Sequence, residues 1–382
     1  MTVTTSLNAG ELVERACAKT GLADFGDDWF REPLDVLVHS LNTEAALSPL
    51  GFELTRHRLT ALLSDRLRLR ELQRAHPEVL DAEVRVAAEI CGLPRTGSTL
   101  LHRLLSASPQ VTSTLSWEVA YPLPFPGEGL DAELRKNRAR ERMRAFAQLS
   151  PDFGDLHTVV WDGPEEDVLL LDRTFVSMSF DSFYRVPAYG DWLRTADQRP
   201  AYRELREWLQ VLQWQNPGRS QPWVLKSPHH LTAVGTVLDE FPECKIVMTH
   251  RSPVNAVPSY ASMVRAMTSQ YSDEADSVLI GRYWSRRFAK TLRDFTSARA
   301  DRPDRFVDVR FADTVGKPLE VARQVLDALG LPAGPADDAA FEAYLAHNRE
   351  ERHGSHSYTP EDFGLSEDQL RRDFAFYSEV YL

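Results

Sequence analysis

Short apolar runs separated by amphipathic stretches set the frame of this chain. Val86, Ala87, Ala88, Ile90 and Cys91 form one run, broken only by Glu89; Ile246, Val247 and Met248 form another. Pro222–Lys226 and Phe306–Val309 add two more. Runs this short and this apolar suit strands covered on both faces. Between them, apolar residues recur at helical spacing. Leu100, Leu101, Leu104 and Leu105 do so up to Pro109, and Tyr202–Gln215 does so up to Asn216-Pro217-Gly218. His230–Glu240, Asn255 onward, Tyr283–Ala298 and Pro318–Leu329 repeat the pattern. Ala132–Leu149 and Glu165–Ser179 also read as helices, with Pro151–Pro164 a loop between them. This alternation predicts an α/β fold: a parallel sheet flanked by helices.

Residues 1–85 read differently, as helices only: Glu11–Lys19, Asp35–Ser40 and Leu54–Leu72. Arg56, Arg58, Arg66, Arg68 and Arg70 crowd the third of these, which predicts a solvated basic face. No linker separates this region from Val86, so the expectation is one domain over 1–382. A helical N-terminal extension (1–85) precedes an α/β core (86–315) and a C-terminal helix and tail (316–382). The polar stretch from Asn348 is expected to wrap the surface.

Composition narrows the function classes. A net charge of −12 argues against nucleic acid or an anionic membrane as the main partner. No apolar run approaches the roughly 20 residues of a membrane span, and the N-terminus has neither a basic region nor an apolar core to mark a secretory signal. Cys17, Cys91 and Cys244 are too few and too scattered for a disulfide framework or a zinc site, which fits a reducing cytoplasm and no metal. An anionic ligand must then be held by a local basic cluster.

Such a cluster is visible at Gly92-Leu93-Pro94-Arg95-Thr96-Gly97-Ser98-Thr99, between the first strand and its helix. A turn that opens a helix offers unpaired N–H groups and the positive end of the helix dipole. Two glycines at G-x-x-x-x-G spacing let the backbone curl around a phosphate, as in a P-loop. Ser98 stands where a Walker loop carries Lys, and the positive charge comes from Arg95 instead. This departure counts against ATP or GTP hydrolysis.

Together with Lys245–Val264 (KIVMTHRSPVNAVPSYASMV), the loop resembles the sulfotransferases that use 3′-phosphoadenosine 5′-phosphosulfate (PAPS), in particular a bacterial branch with a helical N-terminal region. The resemblance implies that the P-R-x-G-[ST]-T loop holds the phosphosulfate through Arg95, Thr96, Gly97, Ser98 and Thr99. It implies that Arg251 and Ser259, eight residues apart, hold the 3′-phosphate, as the forked donors of Arg and a hydroxyl can. Arg352, His353 and Gly354 resemble a late basic–glycine loop that closes over that phosphate. GPEEDVLLL and PWVLKSPHHL match further.

The implied activity moves a sulfuryl group from PAPS to a hydroxyl of a small organic acceptor, leaving PAP. Lys226, at a strand end, is expected near the bridging oxygen of the donor. The base is expected to be Glu118, following Trp117, with His229 second. His157, Glu165 and Glu166 lie toward the acceptor side, where their bland roles in loop and helix start weigh at least equally. Trp117–Pro126, Trp161, Phe180, Phe183, Tyr184 and Tyr189 supply an aromatic pocket or simply core. The alternatives are a P-loop kinase or NTPase-like enzyme and a non-catalytic nucleotide-binding protein.

Overall fold

A computed structural model describes residues 6–125, 127–128, 132–149, 160–350 and 358–382. The four apolar runs are its strands: β1 (Val86–Gly92), β2 (Trp223–Lys226), β3 (Lys245–His250) and β4 (Phe306–Arg310). All pairs are parallel, in the order β2-β1-β3-β4. The runs lack a polar face because both faces are covered. Ala88, Ile90, Val224, Val247 and Val309 meet Leu101, Leu104, Leu105, Val321 and Val325 on one side. Cys91, Leu225, Ile246 and Met248 join the larger core on the other.

The strand order places the site. From β1 the chain crosses to β2 on one side, then returns past β1 to β3 on the other. Connections therefore leave β1 and β3 in opposite directions, and the crevice outside their carboxyl ends is where open α/β sheets bind ligands.

Three helices, Ala9–Thr20, Arg31–Thr43 and Pro49–Ala75, precede the sheet. The arginines of the third do not form a solvated face. Arg66 is buried against Glu204, Arg58 pairs with Asp172 at 2.7 Å, and Arg70 pairs with Glu207 at 2.6 Å. Their partners lie more than a hundred residues away in sequence, and the ion pairs weld the N-terminal helices to the core. Leu12, Leu34, Leu63 and Tyr377 share one apolar cluster with the sheet.

Two other expectations are corrected. Glu165–Ser179 is not one helix. It is a short helix Val168–Leu171, a 3-10 turn Asp172–Thr174 and a second helix from Met178. Phe175 adopts a left-handed φ of 60° between them. Asp172 accepts hydrogen bonds from the Ser177 and Ser179 hydroxyls, and the Thr174 hydroxyl donates to Leu171 O at 2.6 Å. Side chains that bond locally in this way compete with helix continuation. The C-terminal tail is also no mere surface wrap. Phe363, Leu370, Phe374 and Tyr377 are buried, and Tyr377 Oη lies 2.7 Å from His250 Nδ1 at the end of β3. Among the described residues, no helix is long and apolar enough to cross a membrane.

Candidate functional site

The loop between β1 and the helix Ser98–Ser106 is shaped by its glycines. A side chain on Gly92 would run into Thr249 of β3. Gly97 has a φ of 83° where it caps the helix, and a Cβ there would press on the Phe311 ring at 3.0 Å. Arg95 itself has a φ of 70°, a left-handed conformation that costs a non-glycine residue and clusters at ligand sites. Thr96 braces the turn, its Oγ1 lying 2.7 Å from both Leu93 O and Thr249 Oγ1.

Arg95, Arg251 and Ser259 come together across this loop. Arg95 Nε donates to Ser259 Oγ at 3.1 Å, and Arg251 Nη1 donates to Arg95 O at 2.7 Å. Arg251 also stacks on Phe311, 4.2 Å from the ring centroid. Burial lowers the pKa of the Arg95 guanidinium; Tyr358 counters this and Arg251 reinforces it. Burial lowers that of Arg251 too, again against Tyr358. Two half-buried cations pressed together form a site that an anion would relieve. Tyr358 acts electrostatically on both guanidinium groups and was not foreseen, because it lies more than a hundred residues further along the chain.

Lys226, at the end of β2, reaches the same helix from the other side. Its Nζ donates to Thr99 Oγ1 at 3.2 Å and pairs with Glu166. Glu166 keeps 23% of its side chain exposed, so a carboxylate stands at the mouth of the site.

The two expected bases sit less favourably. Glu118 is buried with both oxygens committed: Oε2 accepts the Leu115 N–H at 3.0 Å and Oε1 pairs with Arg219 at 2.9 Å. Burial raises its pKa while Arg219 opposes the rise. It serves as a helix cap and an ion-pair partner. His229 accepts the Met178 N–H at Nδ1, 3.2 Å away, which leaves Nε2 with the proton. That Nε2 is buried without a hydrogen-bond partner. Burial, then His230, pushes its pKa down to about 3, so it presents a neutral donor. Glu165 caps locally, its Oε1 accepting the Glu166 N–H at 2.9 Å.

Phe180, Tyr184 and Tyr189 belong to the core. Trp117, with Leu115, Tyr121 and Trp161, forms a separate small apolar cluster that adjoins the segment ending at Pro164 through the Leu115–Pro164 bridge. Arg352, His353, Gly354, His157 and Pro126 lie outside the described residues. Glu118→Gln is expected to cost about 1–3 kcal/mol of stability, because Arg219 loses its buried charged partner. It should change kcat less than threefold; urea unfolding and initial rates check both.

A sequence profile described as the sulfotransferase family matches residues 89–335. The omega-hydroxy-beta-dihydromenaquinone-9 sulfotransferases Stf3 of Mycobacterium tuberculosis and Mycobacterium bovis are each 25% identical over 304 residues, covering 73% of this chain and 70% of theirs. The crystal structure of sulfotransferase STF1 from Mycobacterium tuberculosis superposes with a TM-score of 0.86 at 29% identity, over 98% of this chain and 100% of that one. That of sulfotransferase STF9 from Mycobacterium avium gives 0.86 at 26%, over 100% and 98%. With those matches the P-loop kinase and non-catalytic alternatives fall away. The profile spans well over half of the sequence and the fold match nearly all of it, so this chain belongs to the sulfotransferase family and is an enzyme of sulfuryl transfer.

Proposed function

We propose that the chain transfers the sulfuryl group of PAPS to a hydroxyl of a small organic acceptor, giving a sulfate ester and PAP. The observation that carries this is the joined Arg95–Arg251–Ser259 cluster in the crevice between β1 and β3. Two guanidinium groups, a serine hydroxyl and a helix N-terminus fit a ligand with separate phosphate groups. Arg251, Ser259 and Tyr358 meet the 3′-phosphate, and the loop from Arg95 to Thr99 meets the 5′-phosphosulfate. Arg352, His353 and Gly354 keep the closing role that the family resemblance implies for them.

Glu166 is the base in this reading, ahead of Glu118 and His229, whose acceptor atoms are already engaged. The acceptor oxygen bonds to sulfur as the bond from sulfur to the phosphate oxygen breaks. Glu166 takes the hydroxyl proton. Lys226, held by Thr99 and Glu166, meets the charge that develops on the departing oxygen. Transfer of this kind depends on positioning and electrostatics, as phosphoryl transfer does. No metal enters the scheme.

The acceptor carries an apolar body. Stf3 is named for a menaquinone-derived hydroxyl substrate, and here the cluster around Trp117 and Trp161 offers apolar surface beside the segment that leads to Glu166. We read 1–382 as one working unit, operating in a reducing cytoplasm, where its three free cysteines are stable. Calorimetry of PAP beside ADP with Mg²⁺ tests the donor. PAP should bind at least about 100-fold more tightly, since only PAP offers a 3′-phosphate to the Arg251 fork. Equal affinity for the two would overturn the PAPS assignment.

A further inference from the structure

Glu89 is an anomaly of the sheet: a carboxylate in the middle of an apolar parallel strand, fully buried. It is not alone there. His230, in the turn after β2, places Nε2 3.0 Å from Glu89 Oε2 and 3.1 Å from both oxygens of Asp167. Its Nδ1 lies 2.6 Å from Tyr202 Oη. All three charged side chains have no solvent exposure. Burial pushes the Glu89 carboxyl up to about 7, helped by Asp167 and opposed by His230. Burial works against the His230 cation, yet Asp167 and Glu89 raise its pKa well above the ordinary value.

Two buried carboxylates bridged by one imidazolium are a costly device for stability alone. Apolar residues of similar volume often serve as well or better. The 3.1 Å distances from His230 to Asp167 are those of charge-assisted hydrogen bonds, and Glu89 lies within ion-pair distance of the same nitrogen. What the cluster does hold is a backbone position. Asp167 follows Glu166 directly, and Glu166 is the residue on Lys226. Thr114 fixes the preceding residue, pairing with Glu165 through both backbone and hydroxyl at 2.9 and 2.7 Å. The carboxylate at the mouth is thus clamped on either side, by Thr114 before it and by the buried cluster after it.

We propose that Glu89, His230 and Asp167 are positioning residues for sulfuryl transfer: through Asp167 they fix the backbone that aims Glu166 at Lys226 and at the acceptor hydroxyl. The proposal rests on Glu166 being the residue that meets Lys226 in the working site. It assigns a function to the buried strand carboxylate and links β1, β2 and the 165–167 segment into one unit behind the chemistry. Small losses of aim at such a group cost large factors in rate.

The test reads Lys226 directly and needs no acceptor. The chain has six lysines, so lysine labelled with ¹³C at Cε gives few signals, and Lys226→Arg assigns the one that matters. The variants are Glu166→Gln, Asp167→Asn and Glu89→Gln, each checked for thermal midpoint and for PAP affinity. Glu89→Gln preserves shape and serves if Asp167→Asn does not fold. The expected result is a Lys226 signal displaced in the same direction in all three, with PAP affinity kept within threefold. If Glu166→Gln leaves the signal in place, Glu166 does not meet Lys226 and the underlying assignment of Glu166 fails. If Glu166→Gln displaces it while the folded Asp167→Asn and Glu89→Gln do not, the cluster is structural only and the positioning role is wrong.

Discussion

Arg251→Ala is expected to weaken PAP binding by about 100- to 1,000-fold, because truncating one partner of a desolvated charge pair costs about 2–5 kcal/mol. The guanidinium is placed by three features: the end of β3, the Phe311 ring beneath it and the Arg95 carbonyl it donates to. The fork suits the planar pair of oxygens on a phosphate, so charge by itself should not restore it. Arg251→Lys should recover no more than about tenfold, since an ammonium group keeps the charge and loses the bidentate geometry and the ring stacking. ADP affinity should barely change in either variant, since ADP lacks the 3′-phosphate. Calorimetry with both nucleotides on all three proteins decides. A PAP affinity within fivefold of wild type in Arg251→Ala would place the 3′-phosphate elsewhere.

The parts of this site that the sequence revealed are those built from neighbours in the chain. A strand, a two-glycine turn and a helix need only local rules, and residues 86–106 contain all three. Arg251 and Ser259 were legible for the same reason, one at a strand end and the other in the following helix. The features that escaped depend on partners far away. Arg66 looks solvated until Glu204, more than a hundred residues on, is packed against it. Glu118 looks like a free carboxylate beside a tryptophan until Arg219 and the Leu115 N–H take its oxygens. Glu166 looks like a helix-start acid until the folded sheet delivers Lys226. The break at Asp172–Thr174 was hidden as well: its apolar neighbours kept helical spacing, while the hydrogen bonds of Asp172, Thr174 and Ser177 ended the helix.

Glu166→Gln carries the other large effect, and it separates three carboxylate and imidazole candidates by their signatures. Loss of a positioned general base costs about 10²–10⁴ in rate. That loss should fall on kcat with the KM for PAPS within threefold, because in the proposed reading Arg95, Arg251 and Ser259, not Glu166, grip the donor. Glutamine keeps a similar volume and an oxygen that can accept from Lys226, so the lysine stays hydrogen-bonded although its signal shifts with the lost charge, and a fall of two orders of magnitude or more reports the missing base. The comparison is made with Glu118→Gln and His229→Gln, assayed with an apolar phenol or long-chain alcohol that the wild type sulfates. Glu118 caps a helix and His229 offers a bonded acceptor and an N–H donor, so those variants should lose stability before they lose kcat. If Glu166→Gln retains kcat within threefold while Glu118→Gln loses two orders of magnitude, the base sits where the sequence first suggested. The pairing of Glu166 with Lys226 would then be an ion pair that orients the lysine and takes no proton.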